Sequence, residues 1–157
     1  DSVPVKFNNP LFTELVRKID VMPVTVIHEL VHRNQNIKST GSLLDKSLIE
    51  GSADFMAYLV TQKLNNTRIH DFANKKESEL WQQFKKDMIT NNTGYWLYNS
   101  YDSSRPRDLG YWMGFKICEN YYNNSTDKSK AIHNIMNISD PKAFLISSGH
   151  HLKLINN

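Results

Sequence analysis

The stretch that decides the fold is His28-Glu29-Leu30-Val31-His32, an H-E-x-x-H pattern inside a run with helical periodicity. On an α-helix, positions i and i+4 lie about 40° apart around the axis, so His28 and His32 project side by side. Two such imidazoles can bind one metal ion, and Glu29 then falls on the adjacent face, near a water that the metal would hold. The pattern therefore predicts a helix that carries a metal site.

A two-histidine site needs a third protein ligand, and a carboxylate from a second packed helix suits zinc. Glu50 is the candidate, in the stretch Leu48-Ile-Glu-Gly-Ser-Ala-Asp-Phe55 on the next predicted helix. Asp54 follows four residues later and points the same way, so it is placed to accept the outer N–H of a liganding histidine and to set its tautomer. Gly51 and Ala53 are small residues that we expect where the two metal-binding helices approach each other.

Apolar residues flank the histidine pair and favour its burial: Val26, Ile27, Leu30 and Val31. A histidine pair can also lie on a helix surface without metal, and Asp54 can serve as a local cap or ion-pair partner instead. His70 and His133 lie in surface-like segments and are expected to be ordinary histidines. His150 and His151 stay open between a structural role and a role near the metal.

The composition describes one globular domain, residues 1–157, with 39% hydrophobic and 22% charged residues. No apolar run approaches the roughly 18 to 20 residues of a membrane span. The net charge is +3, but the lysines are scattered among acidic residues, which indicates solvated helix faces and no nucleic-acid site. Cys118 is the single cysteine and is expected to be a small buried residue. Because the chain begins with Asp1, we expect that upstream sequence precedes it and that it carries the targeting signal.

The rest of the chain is predicted to be mainly α, with at most a small N-terminal sheet from an edge strand at Val3–Phe7. The predicted helices are 10–20, 23–34, 43–64, 75–89, 109–122, 127–136 and 141–146. Asp108 is expected to cap the helix that starts at Leu109, and Ser125 or Thr126 the helix at 127. Residues 91–106 form an aromatic, turn-rich segment whose tyrosines and tryptophans either line a cleft or pack in the core.

Several stretches of this sequence resemble the motifs of known zinc-dependent proteases. His28-Glu-Leu-Val-His32 followed by Glu50-Gly-Ser-Ala-Asp54 resembles the gluzincin branch of zinc metallopeptidases, with its E-x-x-x-D on the following helix. Gly110-Tyr-Trp-Met-Gly-Phe115, preceded by Arg105-Pro-Arg-Asp-Leu109, is similar to a helix of bacterial predicted zinc-dependent proteases of unknown function, some of them lipoproteins. The likeness continues through Ser139–Leu145 and Ser148-Gly149, although His150 stands where those relatives have a tyrosine.

The resemblance implies a zincin-like metallopeptidase domain that binds Zn²⁺ through His28, His32 and Glu50, with Glu29 as general base and Asp54 behind a histidine. It also implies a peptide or protein substrate and, from the lipoproteins among the relatives, an extracytoplasmic location in a bacterium. Zincins normally present an edge strand ahead of the metal-binding helix, for which Val3–Phe7 is the one candidate. The oligomeric state is left open.

Two hypotheses for function remain open. In the first, the chain is a zinc-dependent peptidase, or a zinc hydrolase of another amide or ester. In the second, it is a catalytically inactive zinc-bearing binding or structural domain. Glu29 favours an enzyme, because it is not a ligand and has little structural reason to be there.

A peptidase also needs a donor for the oxyanion, and Tyr111 is the first candidate because Gly110 and Gly114 leave room for close approach to a neighbouring element. The alternative for Tyr111 is a packed core aromatic, and the further candidates for the donor are Arg105, His150 and His151.

Overall fold

The computed structural model describes residues 10–98 and 105–153, and its regular structure is helical throughout. The helices are α1 (Pro10–Asn34), α2 (Leu43–Thr61), α3 (Thr67–Ala73), α4 (Glu77–Asp87), α5 (Leu109–Asn124), α6 (Lys128–Met136), α7 (Pro141–Ser148) and α8 (His150–Lys153), with a 3₁₀ turn (Asn74–Lys76) between α3 and α4. Within these ranges there is no strand, and the mainly α class is confirmed. The expected strand Val3–Phe7 lies outside the described residues. No helix in the described part is long and apolar enough to cross a membrane.

The closest helix contact joins α2 to α5 through two glycines. A Cβ added to Gly51 would overlap the backbone of Gly114 and Phe115, and one added to Gly114 would overlap the carbonyl group of Ser47. The two helix backbones therefore touch. The prediction that Gly51 makes room between the two metal-binding helices was wrong, because Gly51 faces α5 rather than α1.

Helix α1 runs without interruption from Pro10 to Asn34, where two helices had been predicted, with a break before Pro23. A proline inside a helix loses one backbone hydrogen bond and crowds the preceding turn, at a cost of about 3 kcal/mol, but its φ is compatible with the helix. In this chain the helix continues through it. The C-terminal half of α1 packs on α2 and buries Val24 and Val31.

The start of α2 is set by a capping box. Ser42 Oγ accepts a hydrogen bond from the Asp45 backbone N–H, and the Asp45 carboxylate accepts from the Ser42 N–H in return. The same carboxylate accepts from Thr40, through both its backbone N–H and its hydroxyl. Burial alone would raise the pKa of Asp45, but these hydrogen bonds lower it. The helix ends earlier than predicted, because Gln62 adopts a left-handed conformation with φ of 57°.

Other caps differ from the predictions. Asp127, rather than Ser125 or Thr126, caps α6 by accepting from the Lys130 backbone N–H. Asp108 does precede α5, but its carboxylate makes no cap bond, and it accepts instead from the backbone N–H of Tyr98 at 2.6 Å. This bond ties the segment before α5 to the start of that helix.

The core lies around α2, α5 and α4, and three fully buried tryptophans fill much of it: Trp81, Trp96 and Trp112. The indole N–H of Trp96 donates to Asp87, and that of Trp112 donates to Asn74, both at 2.9 Å. Cys118 is fully buried, and burial raises the pKa of its thiol. Its predicted role as a small buried residue is confirmed.

The glycine contact yields a stability prediction. We expect Gly114→Ala to destabilise the fold by about 2 kcal/mol or more, because the new methyl group overlaps a backbone carbonyl that cannot turn away. Helix propensity alone predicts the opposite sign, a gain of about 1 kcal/mol. Chemical denaturation measures the difference. Gly94→Ala is the matched control, since nothing but the Asn92 side chain lies within 4.0 Å of its added Cβ. Equal stability of Gly114→Ala and wild type would contradict the contact.

Candidate metal centre

Helices α1 and α2 bring three candidate metal ligands together. His28 and His32 lie one turn apart on α1, and their Nε2 atoms are 2.9 Å from each other. Glu50 on α2 places Oε2 at 3.5 Å from the Nε2 of His28 and at 3.3 Å from that of His32. The three ligand atoms lie within 4.8 Å of one another. Two imidazole nitrogens and one carboxylate oxygen form a donor set typical of zinc, so these residues fit the metal that the sequence predicts.

The outer nitrogen of His28 bonds to Asp54. His28 Nδ1–H donates to Asp54 Oδ1 at 2.7 Å, and both groups are buried. Asn65 Nδ2 donates to the same carboxylate oxygen at 3.0 Å. When Nε2 of His28 binds a metal, the remaining ring proton is on Nδ1, where Asp54 accepts it.

The outer nitrogen of His32 has a different partner, which the sequence interpretation missed. Gln35, one turn further along the chain, places its side-chain amide 2.8 Å from His32 Nδ1. The other end of that amide lies 3.0 Å from the hydroxyl of Ser52 on α2. The spacing of three residues after His32 is the signal that points to Gln35, since positions i and i+3 share a helix face.

Two tyrosine hydroxyls meet the Glu50 carboxylate. Tyr98 donates to Glu50 Oε1 at 3.0 Å, although 62% of this tyrosine is exposed. Tyr111, on the first turn of α5, also lies near Glu50 and helps to lower the pKa of its carboxyl group. The Tyr111 ring is nearly parallel to that of His28, at 6.3 Å between centroids. Tyr111 thus lies at the site, while Tyr98, expected only as an aromatic of a cleft or core, is a second hydroxyl there.

Local sequence carries no signal for the position of Tyr98. Its backbone has a positive φ of 56°, and its N–H is held by Asp108 from ten residues along the chain. Of the other aromatics expected in a cleft or core, Trp96 and Trp112 belong to the core. Tyr101 lies outside the described residues.

His28 and Glu50 stabilise each other's charged forms. Burial alone would lower the pKa of His28, but hydrogen bonds and charge from Asp54 and Glu50 raise it to about 9. Burial alone would raise the pKa of Glu50, but His28, His32 and the two tyrosine hydroxyls lower it. Burial and the nearby Glu50 charge raise the pKa of Tyr98 to about 12, and that of Tyr111 rises for the same reasons. Both phenols therefore keep their protons at neutral pH and can donate.

Glu29 lies on the exposed side of α1, beside the histidine face. It lines a cavity of about 320 Å³ together with Thr25, Val26, Leu30 and Arg33. Val26 and Leu30, two of the apolar residues expected to favour burial of the histidine pair, are each 51% exposed, although His28 is buried. Within residues 22–34, α1 buries the face it turns to α2, and these two residues point elsewhere. The carboxylate of Glu29 is consequently open to a ligand.

The remaining histidines occupy other surroundings. His70 is buried, contrary to expectation, because its ring packs edge-on against Phe115 at 4.7 Å, and burial lowers its pKa. His133 is exposed, as expected. His150 is fully buried, its ring 5.2 Å from that of Trp81 and bonded to Asn120. His151 is half-buried in α8.

Arg105, a further candidate for the oxyanion donor, is engaged elsewhere. Its guanidinium lies 3.7 Å from the ring centroid of Tyr95 and 4.7 Å from that of Trp96, and it donates to Gln83 at 3.3 Å. These contacts place it over an aromatic pair.

Comparison with known proteins agrees with this metal centre. A family model described as "Predicted Zn-dependent protease (DUF2268)" matches residues 11–144. No curated protein and no solved structure matches the chain. The family match covers most of the chain and includes all the helices that build the site, from α1 to the first part of α7. The chain therefore belongs to the DUF2268 family of predicted zinc-dependent proteases.

Proposed function

We propose that this chain is a zinc-dependent peptidase of the gluzincin type, in which His28, His32 and Glu50 bind the metal. The observation that carries the proposal is the convergence of three ligand atoms on one point, on a helix where the residue after His28 is a carboxylate that is not among them. Among the contacts that the structure describes, Glu29 has no partner that would explain a charged residue at this position. It also borders an open cavity. An exposed carboxylate that directly follows a metal ligand on the same helix can serve as a general base.

Each side chain then has a defined task. When bound, zinc supplies a Lewis acid that polarises the scissile carbonyl and lowers the pKa of a water. The Glu29 carboxylate accepts a proton from the attacking water and passes it to the leaving amine nitrogen as the C–N bond breaks. Tyr111, kept protonated by burial and by the Glu50 charge, donates a hydrogen bond to the carbonyl oxygen as negative charge develops on it. Asp54 holds His28 in its liganding tautomer.

The first functional prediction concerns the metal. We expect one zinc ion per chain, and we expect Glu50→Ala to weaken zinc binding more than about 100-fold, because the carboxylate ligand is lost. Elemental analysis and competition with a chelator measure content and affinity. Glu79→Ala, on the exposed surface of α4, is the control and should bind zinc as wild type does. Equally tight binding by Glu50→Ala would remove Glu50 from the ligand set.

The second prediction separates a peptidase from an inactive zinc-bearing domain. Glu29→Gln should keep its zinc and its fold while kcat for peptide hydrolysis falls about 100-fold or more, since an amide cannot accept the proton. Digestion of a diverse peptide library, followed by kinetics on the best substrate, measures this. If the zinc-loaded wild type cleaves no peptide, the binding-domain hypothesis replaces the peptidase. If Glu29→Gln cleaves as fast as wild type, Glu29 is not the base.

The third prediction tests the oxyanion donor. Tyr111→Phe removes one hydroxyl and keeps the ring, so kcat should fall about 10- to 1,000-fold with zinc content and thermal stability nearly unchanged. Tyr98→Phe is the matched variant, because Tyr98 also lies at Glu50 and donates a hydrogen bond to it. Its kcat should change less. The opposite order, with Tyr98→Phe slow and Tyr111→Phe unaffected, would assign the role to Tyr98.

A further inference from the structure

We propose that Gln35 is a positioning residue for His32, and that in the zinc-loaded protein its amide oxygen accepts the Nδ1 proton of that histidine. This inference rests on the proposed function, because it takes His32 as a metal ligand. Gln35 immediately follows α1 and continues its hydrogen bonding, with its backbone N–H donating to the Val31 carbonyl group at 2.8 Å. The side chain is thereby held beside the imidazole.

The contacts form a chain from α1 to α2. The Gln35 amide lies 2.8 Å from His32 Nδ1 at one end and 3.0 Å from the Ser52 hydroxyl at the other. Ser52 is fully buried, and its hydroxyl also donates to the carbonyl group of Ile49 at 3.1 Å. Ser52 lies two residues beyond Glu50, so the group that anchors the amide is rigidly connected to the third ligand.

The proton positions decide which end of the amide faces His32. If Nε2 of His32 binds the metal, its proton is on Nδ1, which then needs an acceptor. In the structure the amide nitrogen of Gln35 faces Nδ1 and its oxygen accepts from Ser52. In that orientation the proton of His32 would be on Nε2, the atom that faces His28 and Glu50. A rotation of the amide by 180° exchanges its oxygen and nitrogen and keeps both contacts. Ser52 can then accept from the amide nitrogen while it donates to Ile49.

The two histidines therefore differ in the group that accepts their outer ring proton. His28 donates to a carboxylate that Asn65 also contacts, whereas in the proposed zinc-loaded arrangement His32 donates to a neutral amide that contacts a hydroxyl. A charged acceptor raises the basicity of a liganding imidazole more than a neutral one. Exchanging the amide of Gln35 for a carboxylate should consequently preserve or tighten metal binding, while removing the acceptor should weaken it.

The experiment measures zinc affinity by chelator competition in the wild type and in four variants. Gln35→Met has nearly the same length without an acceptor and should bind zinc about 10- to 100-fold more weakly than wild type. Gln35→Glu replaces the amide by a carboxylate acceptor, so its zinc affinity should equal or exceed that of wild type. A residue that only fills space would not tighten zinc binding. Gln82→Met, exposed on α4, is the control and should match wild type. Asp54→Asn supplies the corresponding loss on the His28 side.

A second measurement uses the wild type alone, so it does not depend on how the variants fold. Nitrogen-15 NMR of the zinc-loaded protein should show a slowly exchanging proton on His32 Nδ1, with the Gln35 amide protons close to the Ser52 side chain. Gln35 amide protons close to the His32 ring instead would overturn the inference. So would wild-type zinc affinity in Gln35→Met. Failure of the wild type to bind zinc at all would overturn the proposed function itself.

Discussion

The backbone contact between α2 and α5 is the constraint on which the rest of the site depends. Because Gly51 and Gly114 have no side chains, the two helices touch, and Tyr111 on α5 reaches the carboxylate of Glu50 on α2. Gly51 follows Glu50 directly, so one side of α2 contacts α5 while the neighbouring position faces the histidines of α1. A wider separation of α2 and α5 would move the tyrosine away from the candidate metal ligands.

The interior of the site is built from hydrogen bonds that begin at the two imidazoles. His28 leads to Asp54, and His32 leads to Gln35 and Ser52. Such outer partners orient the rings before a metal arrives, which reduces the ordering that binding must impose. Both networks lead from α1 to α2, where they reach Asp54 and Ser52. The packing of these two helices therefore also sets the direction of each imidazole ring.

Helix α1 also has an open side beside the face that packs on α2. The face of α1 that carries the histidines is packed on α2, whereas Glu29, Val26 and Leu30 border a cavity. None of the three candidate metal ligands lines this cavity, but the carboxylate of Glu29 is accessible from it. The exposed apolar residues beside it provide surface that a peptide side chain can cover.

The sequence by itself determined the mainly α class, the helix around His28 and His32, and the candidate ligand and partner on the next helix. The histidine pair follows from spacing within one helix, where geometry is nearly constant. Glu50 and Asp54 follow from the ligand chemistry of zinc and from the E-x-x-x-D pattern of the resemblance. The tertiary structure alone decided that Gly51 faces α5, that Val26 and Leu30 stay exposed, and that Tyr98 reaches Glu50. Such contacts join residues far apart in the chain, and local periodicity contains no information about which face of a helix meets which neighbour.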